Sequence, residues 1–123
     1  MVFQSFVLID PDEISLFLAK KAVMAASPSS QIIVFKNPEE AFEFLSAHKD
    51  PCCIIIENTV LNLEVKVLLS LSKVYAEKNF RIIVLSNAFQ KKLLSVIPHL
   101  YHVRFTYKPI NPKKLKEIID DWS

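Results

Sequence analysis

Five short apolar runs, rich in β-branched residues, constrain the fold of this chain more than any other feature. They cover residues 6–9, 32–35, 52–56, 82–85 and 103–107. The first four are apolar on successive residues, which is typical of strands buried on both faces of a parallel sheet. The fifth alternates apolar and polar residues, which predicts an edge strand with one wetter face.

Helical patterns separate these runs and begin at recognisable capping residues. Asp12, Asn37 and Asn111 are the expected N-caps, and Pro38 and Pro112 follow the two asparagines at the first helical position. Two further helices are expected at about 62–78 and 89–97. Strands and helices therefore alternate five times, which predicts right-handed crossovers and a doubly wound α/β sandwich.

The spacing of apolar residues indicates which side of each helix faces the sheet. In the first helix the three-four spacing selects Ile14, Phe17, Leu18, Lys21 and Ala22. In the second it selects Ala41, Phe42 and Leu45, and in the last it selects Leu115, Ile118, Ile119 and Trp122.

Length and composition limit the classes of protein that remain. The 123 residues fit one domain, and 51% apolar with 23% charged residues is the balance of a globular chain. A net charge of +2 is too slight to indicate nucleic acid or a membrane as partner. No run is long enough to span a bilayer and no secretion signal is evident, so we expect a cytoplasmic protein.

The glycine and cysteine content excludes several kinds of binding site. The chain contains no glycine, which excludes Gly-rich phosphate loops and leaves positive-φ turns to Asn, Asp or Ser. The two cysteines, Cys52 and Cys53, are adjacent and too close for the usual disulfide span. We expect them to be small buried apolar side chains in a reducing compartment, because the histidines supply no zinc-like spacing.

Polar side chains follow four of the five predicted strands, at the edge where open α/β sheets place their sites. Asp10 and Asp12 follow the first strand, Glu57 ends the third, Ser86 follows the fourth and Lys108 follows the fifth. Each one alone is an ordinary polar loop residue. Together they predict a single site at the carboxyl edge of the sheet.

The segments around these residues resemble the receiver domains of bacterial two-component response regulators. The resemblance covers essentially the whole chain, 1–123, and rests on segments 7–14, 37–41, 54–57, 83–87 and 105–110. It implies one flavodoxin-like domain, with a five-stranded parallel sheet in the order 2-1-3-4-5 and helices on both faces. Receivers accept a phosphoryl group on an Asp at the end of strand three, with magnesium held by an acid pair after strand one.

When the functional positions of receivers are matched to this sequence one by one, the acidic positions match only in part. Glu57 stands at the phosphoacceptor position and Asp10 at the first acid of the pair, but Pro11 stands where the second is expected. Asp12 is one residue late and is expected to cap the helix. Because Pro11 offers no side-chain oxygen, we expect magnesium binding to be weak or absent. No catalytic and no metal-ligating residue is predicted.

The remaining positions match. Ser86 and Lys108 correspond to the residues that contact the phosphoryl group, and Phe105 corresponds to the aromatic switch of the family. We expect Lys108 to lie within salt-bridge reach of Glu57, as a partial imitation of the phosphorylated state. We also expect Phe105 to be mostly buried beneath the fourth helix.

The functional hypothesis is a degenerate pseudo-receiver, not an enzyme, that acts through protein contacts without an Asp phosphorylation cycle. Because no output domain follows residue 123, the expected partners are other signalling proteins, either a histidine kinase or a downstream target. A homodimer through helix four, strand five and helix five is also considered. The alternative is a phosphorylatable receiver in a phosphorelay. A more remote one is a flavodoxin-like cofactor-binding protein, although the acidic first loop would repel phosphate.

Overall fold

The structure is a computed structural model that describes residues 3–57, 77, 79–86 and 102–122. Its strands are β1 (Ser5–Ile9), β2 (Gln31–Phe35), β3 (Cys52–Glu57), β4 (Arg81–Ser86) and β5 (Val103–Tyr107). Its helices are α1 (Glu13–Ala26), α2 (Pro38–Ala47) and α3 (Pro112–Asp121). The helices predicted at 62–78 and 89–97 lie outside the described residues.

The five strands form one parallel sheet in the order β2-β1-β3-β4-β5. This order confirms the predicted doubly wound α/β architecture. It also places β1 and β3 side by side in the middle of the sheet, with β4 next to β3. The strand ends that carry Asp10, Glu57 and Ser86 therefore lie at neighbouring positions of one edge.

Successive residues of the central strands point into two separate apolar layers. On one face, Phe6 and Leu8 pack in a cluster with residues of α1 and α3, including Trp122. On the other face, Val7 and Ile9 pack with residues of α2. Burial on both faces explains why the sequence of β1 is apolar at every position.

The helix starts agree with the sequence. Asn37 Oδ1 accepts hydrogen bonds from the backbone N–H groups of Glu39 at 2.8 Å and Glu40 at 3.4 Å. Asn111 Oδ1 accepts one from Lys114 at 2.8 Å. The predicted inward residues of α2 and α3 are buried or partly buried. In both helices the cap therefore marks where the helix begins, and the apolar spacing identifies the side that faces the sheet.

The predicted inward side of α1 is wrong except at Ala22, which is buried. Ile14, Phe17 and Leu18 are exposed, whereas the side facing the sheet is formed by Leu16, Ala19, Ala22 and Val23. This helix is apolar on two opposite sides, so its periodicity alone does not identify the buried one. The buried side carries Ala19 and Ala22, whose small side chains let the helix pack closely against its neighbours.

Two strand predictions also need correction. β2 is an edge strand rather than one buried on both faces, and its Val34 is 46% exposed. β5 is an edge strand as predicted, but its burial does not alternate as expected. Thr106 is buried and Tyr107 is exposed, because residues at a sheet edge are covered by the loops and helices around them rather than by pattern alone.

The glycine-free composition has the expected consequence at one turn. Asn79 adopts φ of 60°, in the left-handed region that asparagine tolerates better than most residues. Cys52 and Cys53 are both buried free thiols, as predicted. Within the described ranges, no helix has both the length and the apolar composition needed to cross a membrane.

Candidate functional site at the carboxyl edge of the sheet

The candidate site begins at Asp10, the first residue after β1. Its side chain is 6% exposed, and its backbone N–H donates to the carbonyl oxygen of Phe35 at 3.1 Å. The Asp10 Oδ1 atom accepts a hydrogen bond from the backbone N–H of Asp12 at 2.9 Å. These contacts fix the carboxylate at the edge of the sheet, with Oδ2 directed at a different partner.

That partner is Lys108. Its Nζ atom lies 2.7 Å from Asp10 Oδ2, and the Lys108 side chain is 11% exposed. The residue is held in place by its own backbone, because the Lys108 N–H donates to the carbonyl oxygen of Ser86 at 2.9 Å. The Lys108–Pro109 peptide bond is cis. The result is a mostly buried ion pair that joins the first strand to the last.

Glu57 and Ser86 complete the edge between these two residues. Glu57 is the last residue of β3 and is 5% exposed, and Ser86 is the last residue of β4 and is 1% exposed. The structure therefore brings Asp10, Glu57, Ser86 and Lys108 to the ends of four neighbouring strands, as the sequence predicted. This placement shows where the residues are, and their roles remain predictions.

Lys108 pairs with a residue that the sequence analysis did not name as its partner. Its ammonium group forms an ion pair with Asp10. An ammonium group has three donors, so an additional approach to Glu57 stays a prediction. The sequence identified both members of the observed pair but not the pairing itself, because a pair separated by 98 residues depends on how the sheet closes.

Asp12 is the N-cap of α1, as predicted, and its place in an acidic pocket with Asp10 stays a prediction. Its Oδ1 atom accepts a hydrogen bond from the backbone N–H of Ile14 at 3.0 Å, which is the geometry of an N-cap. Asp12 also lines a cavity of about 220 Å³ between the start of α1 and the segment from Lys108 to Ile110. This cavity is adjacent to the ion pair and is open to solvent.

The residues at this edge do not fit the magnesium site of a receiver. Asp10 Oδ2 is engaged by a cation of the chain, Pro11 has no ligand atom and the Asp12 carboxylate caps α1. In the part of the chain that the structure describes, no three His, Cys, Asp or Glu side chains are grouped in a way that would hold a metal ion. A hard divalent cation needs several oxygen ligands, which Asp10, Pro11 and Asp12 do not offer together.

Phe105 lies on β5, which is separated by β4 from β3 and its last residue, Glu57. It is partly buried, packs against the cluster on the α2 face and meets Tyr107 edge-on with ring centroids 5.1 Å apart. The helix under which it was expected to insert lies outside the described residues. The inward rotamer therefore stays a prediction.

Comparisons with solved structures match the fold. The chain resembles a response regulator from Thermotoga maritima with a TM-score of 0.74 and 20% identity, covering 98% of both chains. It resembles a response regulator receiver protein from Dyadobacter fermentans with a TM-score of 0.72 and 16% identity, covering 96% of both. It resembles the chemotaxis response regulator CheY4 of Vibrio cholerae with a TM-score of 0.69 and 12% identity, covering 99% and 100%.

Neither a protein-family model nor a curated protein sequence matches the chain. The structural likeness extends over nearly the full length of each compared chain, so it concerns the whole receiver architecture rather than one βαβ unit. At these identities it establishes that the chain has the fold of response regulator receivers. The chemistry at the carboxyl edge has to be argued from this chain's own residues.

Proposed function

We propose that this chain is a degenerate receiver module that transmits a signal through protein contacts and does not undergo an Asp phosphorylation cycle. One observation carries the proposal: Lys108 holds the Asp10 carboxylate at 2.7 Å in a mostly buried ion pair. In a receiver that carboxylate would serve a metal ion. Here the cation is part of the chain.

Two sequence features support the same reading. Pro11 removes one oxygen ligand, and Glu57 carries its carboxylate one methylene further out than an Asp at the phosphoacceptor position would. Phosphoryl transfer is almost entirely positioning and charge neutralisation. Each change acts against one of those requirements, so the module is expected to work without phosphorylation or catalysis.

The proposed partners are other signalling proteins, either a histidine kinase or a downstream target, and the proposed location is the cytoplasm. A homodimer through the fourth predicted helix, β5 and α3 remains a further proposal. The described part of that surface carries Lys113, Lys114 and Lys116 in exposed positions near the start of α3. These lysines would give such a surface a basic rim.

The test is phosphorylation with a small phosphodonor. The full chain is incubated with magnesium and acetyl phosphate, and its intact mass is measured, with magnesium binding followed by calorimetry. We expect wild type to gain no phosphoryl group and to bind magnesium weakly or not at all. Pro11→Asp combined with Glu57→Asp should gain both properties, because it restores the missing ligand and the shorter acceptor.

The matched control is Pro11→Asn combined with Glu57→Asn, which introduces side chains of the same shape without their charges. It should gain neither property. A hydroxylamine-sensitive phosphoryl group on wild type would overturn the proposal and favour the phosphorylatable receiver. Tight magnesium binding by wild type would show that the argument from the missing ligand is wrong.

A further inference from the structure

The strand β2 has the composition of a strand from the middle of a sheet, although it lies at one side of the sheet. From Gln31 to Phe35 its sequence is QIIVF, with one polar residue, no charged residue and no proline. Apolar, β-branched strands of this kind are normally paired on both sides. Among the described residues, however, β2 pairs with β1 alone, and its Val34 side chain is 46% exposed.

The strand on the opposite side of the sheet, β5, is protected in a way that β2 is not. β5 contains Arg104, whose guanidinium forms an ion pair with Asp121 at 2.7 Å, and Pro109 follows shortly after its last residue. Charged residues and prolines are the usual means by which native proteins prevent an edge strand from pairing with another chain. Because β2 has neither, its composition is that of an edge strand left open to pairing.

The backbone of β2 directs the hydrogen-bonding groups of two residues away from the sheet. The Gln31 N–H donates to a carbonyl oxygen just before β1 at 2.9 Å, and the Phe35 carbonyl oxygen accepts from the Asp10 N–H at 3.1 Å. In a strand, the N–H and C=O groups of successive residues point to alternate sides. The odd-numbered residues of β2 therefore pair with β1, and the backbone groups of Ile32 and Val34 point outward.

These outward groups are complementary to the same groups of a second copy of the chain. A two-fold axis through Ile33 sets Ile32 of one copy opposite Val34 of the other in an antiparallel pair. Each such pair can exchange both of its backbone hydrogen bonds. The facing side chains are apolar and β-branched, which favours cross-strand packing. The nearest charged residue, Lys36, would lie opposite Ser30 of the second copy, so no like charges are opposed.

We infer that β2 pairs with β2 of a second copy of this chain and joins the two sheets into one continuous sheet. A two-fold contact uses the open side of both strands, so the assembly closes at a dimer. A strand from a different protein is a poorer match, because the two-fold pairing already gives every outward donor of β2 an acceptor. One short strand from each copy buries less than the standard interface of about 1,600 Å², so we expect a weak dimer.

This pairing is independent of the function proposed above. It uses β2, on the opposite side of the sheet from the surface of β5 and α3, and it does not depend on whether Glu57 accepts a phosphoryl group. The inference therefore goes beyond the proposed function, and each can fail without the other.

The first test is sedimentation velocity of the full chain over a concentration range of about 10–500 µM, where a weak dimer dissociates. We expect a monomer–dimer equilibrium. Val34→Pro removes an outward N–H donor without removing a bond to β1, and should raise the Kd of the dimer about tenfold or more. The matched control is Val34→Thr, which keeps the donor and the β-branched shape. It should change the Kd by less than about threefold.

The second test is disulfide cross-linking, which measures the register of the pairing. On the two-fold axis Ile33 faces its own copy, with Cα atoms about 4.5 Å apart, within the span of a disulfide. Ile33→Cys, oxidised with copper phenanthroline, should give a covalent dimer on a non-reducing gel. The matched control is Gln31→Cys, on the same face of β2. It should not cross-link, because the two copies of residue 31 lie about 14 Å apart. Wild type, whose Cys52 and Cys53 are buried, gives the background.

Four outcomes would overturn the inference. They are a monomer at every concentration, species larger than a dimer, a dimer that folded Val34→Pro leaves unchanged, and equal cross-linking of the two cysteine variants. Circular dichroism establishes that each variant is folded. If Val34→Pro does not fold, the comparison of Ile33→Cys with Gln31→Cys decides the matter.

Discussion

The carboxyl edge of the sheet and the outer side of α1 are adjacent, and each reverses the usual distribution of residues in a folded protein. At the edge, the charged side chains of Asp10 and Lys108 are mostly buried. On α1, the apolar side chains of Ile14 and Phe17 are exposed. The two regions differ in whether these side chains are packed against other residues of the chain.

At the edge, the charge of Asp10 is balanced by Lys108 of the same chain. On α1, the described residues leave Ile14 and Phe17 exposed. An ion pair formed within the chain contributes to its stability. Exposed apolar side chains contribute little to stability and are available for binding. This comparison favours a mainly structural role for the ion pair at the edge and leaves the exposed side of α1 as surface open to contact.

The largest effect is expected when the ion pair loses one member. Lys108→Met leaves the Asp10 carboxylate mostly buried without its cation, which is expected to lower the free energy of unfolding by about 3–5 kcal/mol. Urea denaturation measures the change. The double variant Asp10→Asn with Lys108→Met removes both charges and should recover most of the loss. If the single variant unfolds like wild type, the edge does not have the structural role assigned to it.

The next effect distinguishes the two sides of α1 with a matched pair of leucines. Leu16 is 7% exposed and Leu18 is 42% exposed. Leu16→Ala leaves a cavity and should cost about 2–5 kcal/mol, whereas Leu18→Ala should cost less than about 1 kcal/mol because much of that side chain is already hydrated. Chemical denaturation of both variants measures this difference. Equal losses would mean that the two sides are packed alike.

The smallest effect concerns Glu13, which is exposed at the start of α1. The hydrogen bond and the charge of Lys36 hold the pKa of Glu13 below its usual value. The charged pair therefore favours the folded state above the ordinary pKa of a Glu, and this contribution is lost as the pH falls through the lowered value. A nuclear magnetic resonance titration should show the pKa of Glu13 returning to its usual range in Lys36→Ala. An unchanged pKa would contradict the ion pair.

Much of the fold follows from the sequence because local signals and burial agree there. The caps Asn37 and Asn111 and the apolar strands specify their elements without long-range information. The inner side of α1 does not follow, because Leu16 and Leu18 are the same residue type and only the packed sheet distinguishes them. The edge residues could be identified from their positions after the strands, but the pairing of Asp10 with Lys108 depends on bringing distant segments together.

The two adjacent cysteines give this molecule a pair of built-in chemical reporters. Cys53 belongs to the apolar layer shared with α1 and α3, and Cys52 belongs to the layer shared with α2. Burial raises the pKa of the Cys53 thiol well above its ordinary value, so a thiol reagent reaches it only when its layer opens. Labelling rates at two neighbouring residues therefore distinguish a sandwich that opens one layer at a time from one that opens both together.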